Sequence, residues 1–196
     1  MKREVRMNRK ETTEFLSKLL ISTRLTGMGK HYASEVTLDM GTSHPKRVDF
    51  MQFCPKGGTF AGDIEKGIFI CYEVKSCIED VYSGHGLNFY GEKNYLVLTM
   101  DTYIKLNEDM KPKLKGGKSK FWDWYYKNKN DDTQDNFGIL VACPWGVKPE
   151  DYYENFDKYD YTEEKNWELK VIIPCRESHR HRSMVELLFC MLRAGR

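Results

Sequence analysis

The stretch GIFICYEVK, residues 67–75, decides how the rest of the chain is read. From Gly67 to Tyr72 it is nearly continuous in apolar residues. That is the pattern of a strand buried on both faces in the middle of a sheet. Its end carries two charges, Glu73 and Lys75, separated by Val74. Side chains alternate along a strand, so both charges fall on one face. Ser76 followed by Glu79 is a capping-box pattern, which predicts a short helix directly after the strand, broken by Gly84 and Gly86. Two more apolar strands are expected downstream, NYLVLTM at 94–100 and FGILVAC at 137–143. Upstream, Asn8 and Glu11 form another capping box, and Phe15, Leu16, Leu19 and Leu20 recur at helical spacing, predicting a helix over about 9–24. Short strands are expected at 36–40 and 47–53, with Val48 and Phe50 on one face and Asp49 and Met51 on the other. Residues 167–173 read as an edge strand. Met184, Leu187, Leu188, Met191 and Leu192 form the stripe of a last helix over about 178–194. The expected fold class is α/β, a three-layer core with a mixed central sheet flanked by helices.

The 196 residues suit a single domain, 1–196. Lys and Arg number 31 against 29 Asp and Glu, a net charge of +2, which excludes a uniformly basic coat protein and an acidic tail. With 40% hydrophobic and 13% aromatic residues the chain is too apolar to be disordered. No apolar run approaches the roughly 18–20 residues that would cross a bilayer, so no membrane partner is expected. The start MKREVRMNRK has no apolar signal core behind it, which makes the expected location cytoplasmic. Cys54, Cys71, Cys77, Cys143, Cys175 and Cys190 show no paired spacing and read as free thiols. Two segments look like insertions, at about 105–136 and 148–166. Between 105 and 129, eight lysines outweigh Glu108, Asp109 and Asp123 for a local charge of +5. Between 150 and 168, eight acids outweigh Lys158 and Lys165 for a local charge of −6.

Asp49, Glu73 and Lys75 are the residues that carry chemistry. Charges at the edge of a core must be paired or bind a metal. Adjacent strands can bring the Asp49 carboxylate beside that of Glu73, and two such carboxylates suit an oxygen-seeking cation such as Mg²⁺ or Mn²⁺. Lys75 beside them can stabilise charge on an attacked phosphate. The competing reading is a buried ion network of the same three residues without catalysis.

The order RVD (47–49), a strand ending EVKS (73–76) and a helix carrying Asp80 resembles the PD-(D/E)XK nuclease superfamily. More narrowly it is similar to the MmcB-like putative DNA-repair nucleases, through EVKSC (73–77), Asp80–Val81, Tyr90, NYLVLTM and FGILVAC, over roughly 45–145. The resemblance implies a restriction-endonuclease-like core and metal-dependent hydrolysis of DNA, in repair or phage-type processing. A catalytically inactive DNA-binding or interaction protein of the same fold is the alternative. Asp49 and Glu73 would then ligate Mg²⁺ or Mn²⁺, with the Val74 backbone carbonyl as a further ligand, and Lys75 would be the catalytic lysine. Relatives often use another acid, for which Glu35 and Glu14 are the candidates, Glu35 preferred for its closeness to Asp49 in the chain. The chain departs from the family in Val48, where proline is common, and in Gly86–Leu87, where relatives carry a lysine–tryptophan pair. His85 and Asn88 could touch phosphate or base in place of that pair.

The segment KPKLKGGKSKFWDWYYK (111–127) reads as a nucleic-acid arm. Lys111, Lys113, Lys115, Lys118 and Lys120 would neutralise phosphates, and Trp122 with Trp124, Tyr125 and Tyr126 would stack on bases. A solvated loop whose aromatics pack on the domain is the alternative. The acidic segment is expected to face away from substrate. His179 and His181, among Arg176, Arg180 and Arg182, lack further metal ligands and read as a phosphate- or solvent-facing lead-in to the last helix.

Overall fold

Helix α1 (Arg9–Leu20) begins as its sequence requires. The Glu11 N–H donates to Asn8 Oδ1 at 3.0 Å, and the Asn8 N–H donates back to Glu11 Oε2 at 2.8 Å. The helix runs on into one π-helical turn, Ile21–Leu25, and stops before Gly27, whose φ of 126° only glycine adopts freely. The structure, a computed structural model, describes residues 7–58, 60–112, 117–129, 133–155 and 164–194.

Six strands follow in one mixed sheet: β1 (His31–Leu38), β2 (Lys46–Cys54), β3 (Ile68–Lys75), β4 (Lys93–Leu98), β5 (Gly138–Pro144) and β6 (Trp167–Ile173). Their spatial order is β1-β2-β3-β4-β5-β6, so every strand lies beside its neighbour in sequence. β1–β2, β2–β3 and β5–β6 are antiparallel, while β3–β4 and β4–β5 are parallel. The helices are α2 (Ala61–Glu65), α3 (Ile78–Val81), α4 (Met100–Met110), α5 (Lys120–Asn128), α6 (Pro149–Asn155) and α7 (Met184–Ala194). β3 is central, as its continuous apolar run requires, and β6 is an edge.

Residues of β3 alternate between two cores. Ile70, Tyr72 and Val74 join a cluster with Phe15, Leu16, Leu19 and Leu20 of α1. Phe69 and Cys71 join Leu187, Cys190 and Met191 of α7, together with Val36, Leu38 and Met51. Glu73 and Lys75 continue the Phe69–Cys71 face, as period 2 demands. On β2 the expected alternation breaks: Val48 packs with the α7 cluster and Phe50 with the α1 cluster. The cause is a fork. The β2–β3 ladder ends at Phe50–Tyr72, so Asp49 lies where the two strands part.

Other elements depart from expectation. The helix after β3 is capped by Cys77 rather than Ser76, because the Asp80 carboxylate accepts the Ser76 N–H at 3.2 Å. Met100–Met110 form α4, capped by Thr99, whose hydroxyl accepts the Thr102 N–H at 3.3 Å. At the two described ends of the acidic segment, Tyr152 of α6 is fully buried and meets Trp167 edge-on at 5.7 Å. All six cysteines are free. No helix among the described residues is long and apolar enough to cross a membrane.

Candidate active site

The fork between β2 and β3 is held open by a side chain. Asp49 Oδ2 accepts the Val74 N–H at 2.8 Å, taking the donor that a continuing ladder would have used. This places the Asp49 carboxylate beside the end of β3, where Glu73 and Lys75 stand.

Glu73 is 0% exposed. Its Oε1 accepts the Asn88 N–H at 3.2 Å, while Oε2 has no hydrogen-bond partner among the described residues. Burial, and then the negative charge of Asp49, raise its pKa well above the usual glutamate value. Burial also raises that of Asp49, against the Val74 N–H and the positive charge of Lys75. Lys75 is 5% exposed and donates to the His85 carbonyl at 2.7 Å. Over this pair lies the Ser83–Asn88 loop. A Cβ on Gly86 would stand 2.5 Å from Lys75 Nζ and 2.7 Å from Glu73 Oε2. Gly86 also has φ +82°, so glycine is required there twice over. The glycine is what lets the loop close onto the two charges.

A cleft of about 820 Å³ opens at this point, bordered by Asp49, Val74 and Lys75, by Thr13 and Ser17 of α1, and by the β1–β2 rim. Glu35 lies on that rim. The register on either side, Ser34 with Phe50 and Val36 with Val48, puts it opposite Asp49. Its φ is +55° and its carboxylate pairs with Arg47 at 2.8 Å. Glu14 does not border the cleft and pairs with Lys18 at 3.1 Å. Of the two candidate acids, Glu35 is the one beside the site.

His85 is exposed on the cleft edge. Asn88 is buried, and its side-chain amide donates to the Arg47 carbonyl at 2.6 Å. It braces the loop against β2 and also borders the cleft.

The expected basic arm lies only partly within the described residues. Lys113 and Lys115 lie outside the described residues. Lys111, Lys118, Lys120 and Trp122 do not border the cleft. Lys120 is held by Asp109 at 2.6 Å and lies 4.7 Å from the Tyr82 ring centre. Residues 120–128 are helix α5, with Phe121 and Tyr125 fully buried. Trp122 packs against Phe137 at 5.8 Å. The aromatics serve the core because their spacing, four apart, puts them on one helical face.

The cleft wall is instead made by Trp124, Tyr125, Asn128 and Lys129. These are legible in principle, since Trp124 and Asn128 are also four apart and share a face. None of the described residues of the acidic segment borders the cleft. In the basic lead-in to α7, Arg176, His179 and His181 are exposed, while Arg180 pairs with Glu92 and Arg182 makes two bonds to Asp39 at 2.9 and 3.0 Å. Comparisons of the chain with protein-family models, with curated proteins and with solved structures find no match.

Proposed function

We propose that this chain is a divalent-metal-dependent nuclease with a PD-(D/E)XK, restriction-endonuclease-like core, hydrolysing phosphodiester bonds of DNA. The observation that carries the reading is Glu73 Oε2: a fully buried carboxylate oxygen without a hydrogen-bond partner among the described residues, next to Asp49 and Lys75. A buried charge left so is costly unless it has a cation to bind. The order of helix, antiparallel β1–β3 meander and parallel crossover to β4 also supports it.

The residues fit a hard divalent cation. Asp49 and Glu73 would hold it, with the Val74 carbonyl close by in the chain. No group of three or more His, Cys, Asp and Glu is placed to hold a metal among the described residues. Mg²⁺ or Mn²⁺ typically takes one or two carboxylates and completes its shell with water and substrate phosphate. When bound, such a cation supplies an acidified water and neutralises charge on the phosphate. The chain's own part is to orient and to hold charge. Lys75 sets a cation against the charge that grows on the attacked phosphate. The Val74 N–H orients Asp49, and the Asn88 N–H orients Glu73.

The test is incubation of purified protein with single-stranded, duplex and branched DNA in Mg²⁺, Mn²⁺ or EDTA. Cleavage in metal, absent in EDTA and absent in Asp49→Asn, is expected. No cleavage of any substrate, with no measurable Mn²⁺ binding, leaves the ion network as the better reading.

A further inference from the structure

Three features of the cleft bear on the form of its substrate. First, the chemical groups are inside. Glu73 and Lys75 are almost wholly covered, and the Gly86 backbone lies directly over them. A base-paired duplex is a rigid rod whose two backbones travel together. Second, the cleft of about 820 Å³ is the size of a pocket for a small molecule, which runs roughly 300–1,000 Å³. A short piece of one strand fits a cleft of that size. Third, one wall carries an indole. Trp124 borders the cleft and is backed by Tyr82, edge-on at 5.0 Å, and by Phe121 at 6.2 Å. The β1–β2 rim of the same cleft supplies Lys46 and Arg47. Arg47 pairs with Glu35. An aromatic plane in one cleft with basic side chains is the arrangement with which proteins hold unpaired strands.

We propose that the substrate is single-stranded DNA, with a base stacked on Trp124 and the adjoining backbone over Lys46 and Arg47. The inference rests on the nuclease reading for the place of the scissile bond, and its test separates the two. Binding is measured in EDTA by fluorescence anisotropy, using one labelled oligonucleotide alone and annealed to its complement. The single strand binds at least about tenfold tighter. Trp124→Ala weakens single-strand binding about five- to a hundredfold and leaves duplex binding nearly unchanged, as expected for one lost stack. Trp124→Phe, which keeps a π face, retains most of the affinity. Lys46→Gln lowers the slope of log affinity against log salt by close to one unit.

Because Trp124 also packs on Tyr82 and Phe121, melting accompanies each variant. If Trp124→Ala does not fold, Trp124→Leu replaces it, with apolar bulk but no π face, and the same loss is expected. Equal or tighter binding of the duplex, or Trp124→Leu binding as well as the parent, overturns the proposal. Cleavage in Mn²⁺ is scored separately. Asp49-dependent cleavage without strand preference sinks this proposal and keeps the nuclease. Trp124-dependent single-strand binding without cleavage does the reverse.

Discussion

At the scale of single residues, the site is defined by what each removal would do. On the proposed reading, Asp49→Asn takes away a charge the cation needs, so Mn²⁺ affinity and cleavage are both expected to fall. Lys75→Met takes away a competing positive charge, so Mn²⁺ binds as well or better, yet cleavage drops on the order of 10²–10³, the usual loss for a transition-state charge contact. If the three residues were an ion network, Lys75→Met would instead lower stability by about 3–5 kcal/mol with no metal binding in either protein. Calorimetric Mn²⁺ titration beside thermal melting reads both outcomes. Gly86→Ala is expected to lose cleavage and melt lower, because its Cβ would strike Lys75 Nζ and Glu73 Oε2 at a backbone angle that alanine resists. Parent-like melting and activity would show that the loop does not sit on the two charges. The carboxylates also set a pH dependence. Both pKa values are raised on folding, so between the ordinary carboxylate range and the raised value of Glu73 the folded chain binds more protons than the unfolded one. Stability of the metal-free protein therefore falls as pH rises through that window. Melting in EDTA from about pH 5 to about pH 8 checks it, with Glu73→Gln as the control that removes most of the slope. A parent slope equal to that of the control would contradict it.

At the scale of elements, β3 is legible because an unbroken apolar run of strand length between turn residues fits a buried strand and little else. The two charges at its end stand out against that run. Both belong to one local stretch, and period 2 alone puts them on one face. The fork at Asp49 is not legible, since it depends on a side chain displacing a ladder bond between segments 25 residues apart. Nor is the bracing role of Asn88, whose partner Arg47 is 41 residues away. Helix α5 misleads in sequence because lysines precede its aromatics and suggest a solvated arm, although Phe121 and Tyr125 already show helical spacing. The difference is measurable. Phe121 is fully buried among Trp122, Trp124, Tyr125 and Phe137, so Phe121→Ala is expected to destabilise the protein by about 3–5 kcal/mol. A free arm would leave the denaturant midpoint unchanged.

At the scale of the whole molecule, the strand order β1 to β6 follows the chain, but the packing of its ends does not: Arg24, after α1, donates to the Leu169 carbonyl 145 residues on, and the first strands pack on the last helix. The second core joins the first strands to the last helix, and Arg182 reaches back 143 residues to Asp39. The consequence is one of timing. As the chain is made, each new strand finds its neighbour already waiting, so the sheet can grow from one edge to the other. The face bearing Val36, Leu38, Val48, Met51 and Phe53 has no cover until residues 184–194 arrive. Contacts that close long loops form late, because their entropy must be met before they reward it. During synthesis that bare apolar face is the stretch most open to chaperone capture or aggregation. Pulsed hydrogen exchange during refolding is expected to protect β1–β3 amides before those of α7, and simultaneous protection would refute this order. A protein whose candidate site lies on its central strand thus depends, for the soundness of its first strands, on the last helix to be synthesised.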